Sequence, residues 1–234
     1  MQNGLYKTEY QTPVGDGRGV ICVRDGRLLG GNSNFAFIGR FETSGDTIAA
    51  EVSTVRHNHD LTIQPLLGAD VITVKLTGRP IAGGFAFEGA TTGSPSIPFK
   101  SVMIPIDCDD GTPRAAALPQ GIRDGLYSNH IRMLDGVDGG NTGVMLLDGG
   151  IIRGGDAFFD YIGSYASANG RWKGEIVNHE HSPGRGERPI FGGYEVGIGF
   201  SGTYNETGAE AEATALVGKR SIRFRAVLKL IAAL

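Results

Sequence analysis

The chain runs through its opening pattern twice, and this duplication constrains the fold more than any single motif. Asn3-Gly4-Leu5-Tyr6 returns as Asp124-Gly125-Leu126-Tyr127, and Phe35-Ala36-Phe37-Ile38-Gly39-Arg40-Phe41 returns as Phe159-Asp160-Tyr161-Ile162-Gly163-Ser164-Tyr165. A constant shift of 124 residues then carries Gly30-Gly31 onto Gly154-Gly155, Glu51 onto Glu175, His57 onto His181, Gly78 onto Gly202 and Glu88 onto Glu212. Two copies of more than 100 residues each describe a duplicated domain, not a solenoid of short units. The expected division is a first repeat over residues 1–108, a linker over 109–121 and a second repeat over 122–234.

Within each copy the apolar pattern has a period near two, the mark of half-buried strands. Ile72, Val74 and Leu76 share one face, as do Phe35 and Phe37; the second copy repeats the plan with Val196, Ile198 and Phe200 and with Phe159 and Tyr161. Turn signals cut copy one into eight short strands, near residues 4–11, 17–24, 27–31, 35–42, 47–58, 71–79, 84–89 and 99–107. Sequential antiparallel strands joined by tight turns lose their unpaired edges by closing on themselves. The expectation is an all-β protein of two tandem, lipocalin-like antiparallel eight-stranded β-barrels related by a pseudo-twofold axis, as if a symmetric dimer had been fused. A β-sandwich is the alternative.

Composition supports frequent, tight turning. The 38 glycines are about 16% of the chain against a usual ~7%, with no collagen period. Asp-Gly occurs seven times, at Asp16, Asp25, Asp110, Asp124, Asp135, Asp138 and Asp148, a pair suited to hairpin turns. A net charge of −3 gives no basic footprint for nucleic acid. The opening residues lack the basic start and apolar run of a secretory signal, and no stretch approaches the ~20 apolar residues of a membrane helix. Two cysteines, Cys22 and Cys108, are too few for a disulfide framework. These features read as a cytoplasmic protein with free thiols and neither a nucleic-acid nor a membrane partner.

No cofactor or metal signature stands out. His57-Asn58-His59 and His179-Glu180-His181 could each offer two imidazoles to one ion, but no third ligand falls at a recognisable spacing, so they read as exposed histidines at strand ends. Gly15-Asp16-Gly17-Arg18-Gly19 precedes a strand where a phosphate loop needs a helix. Glu51 with Glu88, and Glu175 with Glu212, would suit acid–base chemistry only if they met inside a barrel; as solvated strand faces they do not. The chain reads as a non-enzyme. Tyr6, Phe35, Phe37, Phe41 and Phe85 in copy one, and Tyr127, Phe159, Tyr161, Tyr165 and Phe200 in copy two, are candidate interior aromatics that would line a cavity if the barrels keep one.

Asn3-Gly4-Leu5-Tyr6-Lys7, then Gly19-Val20 before Arg24-Asp25-Gly26-Arg27-Leu28-Leu29-Gly30-Gly31-Asn32, then Phe35 to Gly39, resembles the GrlR-like family, negative regulators of type III secretion in Gram-negative bacteria. The second copy shows the pattern again in Asp124 to Tyr127, Gly143-Val144, Asp148 to Asp156 and Tyr161-Ile162-Gly163. Each copy covers one family domain. The resemblance implies a lipocalin-like barrel that pairs with itself and holds a helix-turn-helix transcriptional activator away from DNA. The family's acidic recognition turn falls here on Thr43-Ser44-Gly45-Asp46 and on Ser167-Ala168-Asn169-Gly170, so Asp46 alone keeps a carboxylate as the partner-binding residue. Two functional expectations follow: a regulator acting by protein contact, or a carrier or sensor of a small apolar ligand held inside a barrel.

Overall fold

The computed structural model describes residues 1–60, 62–107, 121–134, 140–184 and 189–234. The expected linker therefore lies outside the described residues except for Gly121, as do Cys108, Asp110, Asp135 and Asp138. Two closed antiparallel barrels of eight strands each are present, and among the described residues there is no helix. The sandwich alternative is thereby set aside. The first barrel contains β1 (Gly4–Thr12), β2 (Gly15–Arg24), β3 (Arg27–Gly31), β4 (Phe35–Ser44), β5 (Thr47–Arg56), β6 (Val71–Ile81), β7 (Gly84–Thr91) and β8 (Pro98–Pro105). The second contains β9 (Gly125–Met133), β10 (Gly140–Asp148), β11 (Ile151–Gly155), β12 (Phe159–Ala168), β13 (Arg171–Glu180), β14 (Glu195–Tyr204), β15 (Gly208–Val217) and β16 (Arg220–Ala233).

Closure is a matter of register. β1 pairs with β2 through Tyr6↔Ile21 and with β8 through Tyr10↔Ser101. In the same way β9 pairs with β10 through Tyr127↔Met145 and with β16 through Tyr127↔Leu230. No strand edge is left free in either ring, which removes the template for edge-to-edge association. The β2–β3 hairpin turns on Asp25 and Gly26, with φ of 46° and 80°, and the β10–β11 hairpin on Gly149 and Gly150, with φ of 55° and 92°. Positive φ at both central residues matches the type I′ pattern, whose twist suits paired strands. The other described Asp-Gly pairs behave differently. Asp16 and Asp124 stand where strands begin and Asp148 ends one, so the turn signal there marks a boundary one residue off.

Inward side chains form two separate cores. Ile21, Leu28, Phe37, Ile48, Val52 and Phe87 belong to the first; Leu147, Ile152, Trp172, Ile176, Ile198 and Phe224 belong to the second. A third cluster lies on outward faces and joins the barrels: Leu5, Val20, Cys22, Leu29 and Ala36 meet Leu126, Val144 and Leu146. β2 packs on β11 and β3 on β10, a reciprocal arrangement in which equivalent strands exchange roles. This is the isologous pattern of a twofold interface. Gly31 and Gly155 sit at its centre: a Cβ on Gly31 would come within 2.9 Å of Val144 Cγ1, and one on Gly155 within 2.9 Å of Val20 Cγ1. Val20 and Val144 are themselves equivalent and fully buried. Burying each such aliphatic side chain is worth about 1.5–3 kcal/mol.

Polar contacts ring the apolar seam with the same symmetry. Past β5, Asn58 Nδ2 donates to Thr142 Oγ1 at 3.1 Å, and Thr142 Oγ1 donates to the Ser33 carbonyl. Past β13, the His181 carbonyl accepts from Lys7 Nζ at 3.2 Å and the Pro183 carbonyl from Arg18 at 3.3 Å. Arg24 pairs with Asp148 across the seam. The loop leaving the fifth strand of each barrel therefore lies on the first two strands of the other.

Candidate binding cavity

The two barrels differ inside. The first encloses a cavity of about 490 Å³, whereas the pocket inside the second holds about 40 Å³. The register explains why. Trp172 stands where the first barrel has Ile48, Phe200 where it has Leu76, Ile176 where it has Val52 and Ile198 where it has Val74. Trp172 packs against Phe200 with ring centroids 4.5 Å apart and donates its indole N–H to the Glu210 carbonyl at 3.0 Å. Alanines Ala209, Ala211, Ala213 and Ala215 on β15 make room for that bulk; the matching positions on β7 are Phe85, Phe87, Gly89 and Thr91.

Loop residues complete the contrast. Phe191, 4% exposed, drops into the end of the second barrel and meets Phe224 at 5.3 Å between centroids. Its equivalent, Leu67, is shorter and lines the open cavity. Phe99, the equivalent of Phe224, instead stacks on Tyr10 at 5.5 Å. The mouth of the cavity is formed by the β5–β6 loop at Ile63 to Leu67 and by Ala157 and Phe158 of the second barrel, so both domains border it.

The interior wall is mostly hydrocarbon, with hydroxyls on β1 and β8 and one more, Thr54, on β5. Tyr10 and Ser101 face each other across the β1–β8 ladder, and Thr8 lies two residues along on the same face. The Tyr10 phenol accepts from Asn32 Nδ2 at 3.0 Å, and burial raises its pKa well above the ordinary phenol range, so it stays protonated. Asn32 is saturated: Nδ2 also reaches the Arg18 carbonyl, and Oδ1 accepts from the amides of Asn34 and Phe35. The second barrel builds the same turn with Asp156, whose Oδ1 accepts from the Phe158 and Phe159 amides while Oδ2 accepts from Asn141 at 2.8 Å and Tyr161 at 2.6 Å. What is a cavity wall in one barrel is a closed polar network in the other.

Of the sequence-predicted interior residues, Phe35 and Phe37 line the cavity, and the Arg56 guanidinium lies over the Phe35 ring at 4.7 Å. Tyr6 and Phe85 pack together in the core with centroids 6.1 Å apart and do not border the cavity. Tyr127 is fully buried and donates to the Arg123 carbonyl at 2.6 Å; burial pushes its phenol up to about 12. Phe159, Tyr161 and Phe200 point into the second barrel but serve a filled interior. Phe85 and Phe200 are not matching positions, since the register sets Phe85 against Ala209 and Phe200 against Leu76. Asp46 is exposed in the β4–β5 hairpin, at the barrel end opposite the cavity mouth. Sequence reading missed Thr8, Tyr10 and Ser101; the alternation Tyr6, Thr8, Tyr10 already put the first two on the inner face.

The other chemical candidates disperse. Glu51, Glu88, Glu175 and Glu212 are all exposed, and Glu88 pairs with Lys100 at 3.6 Å, so no carboxylate pair forms inside. His57 and His181 are partly buried rather than exposed. Each lies against the turn that opens the fourth strand of its own barrel: His57 Nε2 donates to the Asn32 carbonyl at 2.9 Å, and His181 Nε2 to the Asp156 carbonyl at 3.4 Å. Burial lowers both to about 4. His179 lies against the buried Asp160 carboxylate at 3.2 Å, whose pKa is raised by burial. Among the described residues no group of three or more His, Cys, Asp or Glu side chains could hold a metal.

The outer strand faces carry Lys173, Glu175, Glu210, Glu212, Arg223 and Arg225. Among the described residues no helix is long and apolar enough to cross a membrane. No known family pattern and no curated protein matches the chain. A crystal structure of a Bacteroides fragilis protein named a "putative outer membrane protein" aligns over 97% of this chain and 96% of its own, at 10% identity and a TM-score of 0.26.

Proposed function

We propose that the protein binds one small, predominantly apolar molecule inside its first barrel, and that the second barrel is a solid companion that braces the first and borders its mouth. The observation that carries this reading is the contrast between 490 and 40 Å³ in two copies of one domain. A cavity of that size falls in the range of ordinary small-molecule sites. The charged outer faces fit a water-surrounded barrel pair, and the function needs no catalytic group or cofactor. The test is stoichiometry. Titration with the neutral dye N-phenyl-1-naphthylamine should saturate at one molecule per chain; no saturable binding, or two equal sites, removes the proposal.

A second reading, repression by contact with a transcriptional activator, is supported by the family resemblance and by the exposure of Asp46 at the end away from the mouth. The two readings are compatible, because a ligand and a partner would use opposite ends of the barrel. Capture of a helix-turn-helix protein from the native cytoplasm by the wild type, and its loss with Asp46→Lys, supports the second reading. Capture unchanged by that exchange removes Asp46 from it.

A further inference from the structure

From the unpaired hydroxyls in the wall of the first barrel we infer that its ligand is uncharged and carries a hydrogen-bond acceptor, such as a ketone, ester or lactone oxygen on an otherwise apolar body. This rests on the cavity-binding reading and narrows it. Three polar side chains on two adjacent strands carry the argument. The Tyr10 phenol oxygen accepts from Asn32, but among the described residues no acceptor takes its own proton. The hydroxyls of Thr8 and Ser101, on residues 3% and 9% exposed, line the same cavity and have no protein partner among the described residues. These hydroxyls face the cavity space and are open to hydrogen-bond whatever occupies it, water or ligand.

All three side chains project from one face of the β1–β8 ladder. Ser101 is the direct cross-strand neighbour of Tyr10, where Cβ atoms stand about 4.5–5.5 Å apart, and Thr8 follows on the same face. The Tyr10 phenol lies on the Gly17 side of β1 and Ser101 on the β8 side, so the donors stand at separate places in one wall. The Tyr10 ring lies across Gly17, where a Cβ would collide with it, so the glycine fixes the phenol's place. The second barrel keeps only part of the set: its equivalents of Tyr10 and Ser101 are Ile131 and Ala226, while that of Thr8 is the buried Asn129.

Charge is kept away from the site. Among the described residues, Asp16 and Arg18 are the only ionisable side chains bordering the cavity besides Tyr10. Asp16 is exposed at the rim, and the Arg18 guanidinium turns to Glu9 at 3.7 Å and to the Pro183 carbonyl. Among the described residues, Arg18 is the one cation bordering the cavity, and it is held by Glu9 and the Pro183 carbonyl. A neutral acceptor has three donors to choose among.

Displacement of N-phenyl-1-naphthylamine from the full chain tests the inference with three probes of equal chain length: 2-dodecanone, dodecane and dodecanoate at neutral pH. The ketone should bind about threefold to tenfold more tightly than the hydrocarbon, the range for one neutral hydrogen bond, and more tightly than the carboxylate. Tyr10→Phe combined with Ser101→Ala should erase the ketone's advantage over dodecane. The alanine is already tolerated at the matching position of the second barrel, and dye binding by each variant confirms a folded cavity. Equal affinity for ketone and hydrocarbon, or tighter binding of the carboxylate, overturns the inference while leaving the cavity-binding reading intact. Failure of the dye itself to bind overturns both.

Discussion

The two barrels share strand count, hairpin pattern and a buried histidine contact, yet one is hollow and the other solid. The difference comes from a handful of inward positions on a common frame. In the second barrel Trp172, Phe200 and Phe191 cross the interior and β15 answers with four alanines; in the first, bulk sits on β7 as Phe85 and Phe87 and the middle stays open. Closure depends on backbone register, and filling depends on side-chain volume, so duplication can preserve the first while the second drifts. A fused pair can thus keep one copy as scaffold and leave the other free to hold something.

The strongest test of this contrast is to hollow out the solid copy. Trp172→Ala removes a side chain 4% exposed that touches both Tyr165 and Phe200, and it should cost about 3–5 kcal/mol in chemical denaturation. The equivalent Ile48→Ala should cost less, about 2–4 kcal/mol, because it removes fewer atoms. If Trp172→Ala is as mild as a surface exchange, the second interior is not the packed body described here.

The interface offers a symmetric pair of variants. Gly31→Ala and Gly155→Ala each set a methyl group against the other barrel's buried valine and against the facing carbonyl of Phe35 or Phe159. Overpacking of this kind costs about 1–3 kcal/mol. The two values should agree within error if the axis relating the barrels is a true pseudo-twofold. A large effect from one glycine alone would show that the copies meet unequally.

Much of this architecture is legible in the residues, because repeats and period-two alternation report on backbone plan. Asp25-Gly26 announces its hairpin, and Gly30-Gly31 returning as Gly154-Gly155 marks the segment that becomes the barrel interface. The hollow was not legible. Phe35, Phe37, Phe159 and Tyr161 look alike in sequence and all face inward, but whether they border space depends on Trp172, Phe191 and the β15 alanines, which reach them only after closure. Tyr10 and Ser101 lie some ninety residues apart and meet only because β1 and β8 complete the ring. Phe158 reaches the mouth from the other domain, a contact set by the axis rather than by any local pattern.

A smaller effect probes what the barrels share. His57 and His181 have folded pKa values lowered to about 4 by burial, from an ordinary 6.5. Near pH 7 both folded and unfolded chains hold them neutral and nothing is lost. Below about pH 6.5 the unfolded chain takes up protons that the folded one refuses, so stability falls as the pH drops toward 4. At about pH 5.5 each histidine should account for roughly 1 kcal/mol of that loss. His57→Gln and His181→Gln retain a donor for the turn carbonyl, and each should flatten the pH dependence of stability between 7 and 5.5 by a similar amount. Unequal flattening would mean that the His130 ring, 5.9 Å from His57, or Lys7, near His181, dominates one site.

The smallest effect concerns how the hollow barrel is closed. Arg56 reaches from the end of β5 into the loop that borders the mouth: its Nε meets Asp70 at 2.6 Å, and its terminal nitrogens donate to the carbonyls of Asn58, Asp60 and Ile63 at 3.5, 3.4 and 3.0 Å. One guanidinium ties together both ends of the loop, a use of five fixed donors that lysine cannot reproduce. The solid barrel has Glu180 there, with Oε1 accepting from the Gly184 amide at 3.3 Å, and Phe191 fills the end of its interior. Most of these bonds are exposed, so their net worth is about 1 kcal/mol and global stability should scarcely change. Opening of the mouth should change more visibly. Arg56→Lys and Arg56→Ala should each raise the dissociation rate of N-phenyl-1-naphthylamine about threefold to tenfold, measured by stopped-flow dilution, with the denaturation midpoint nearly unmoved. An unaltered rate would show that the dye leaves without loosening this loop, and that the hollow barrel stands open as built.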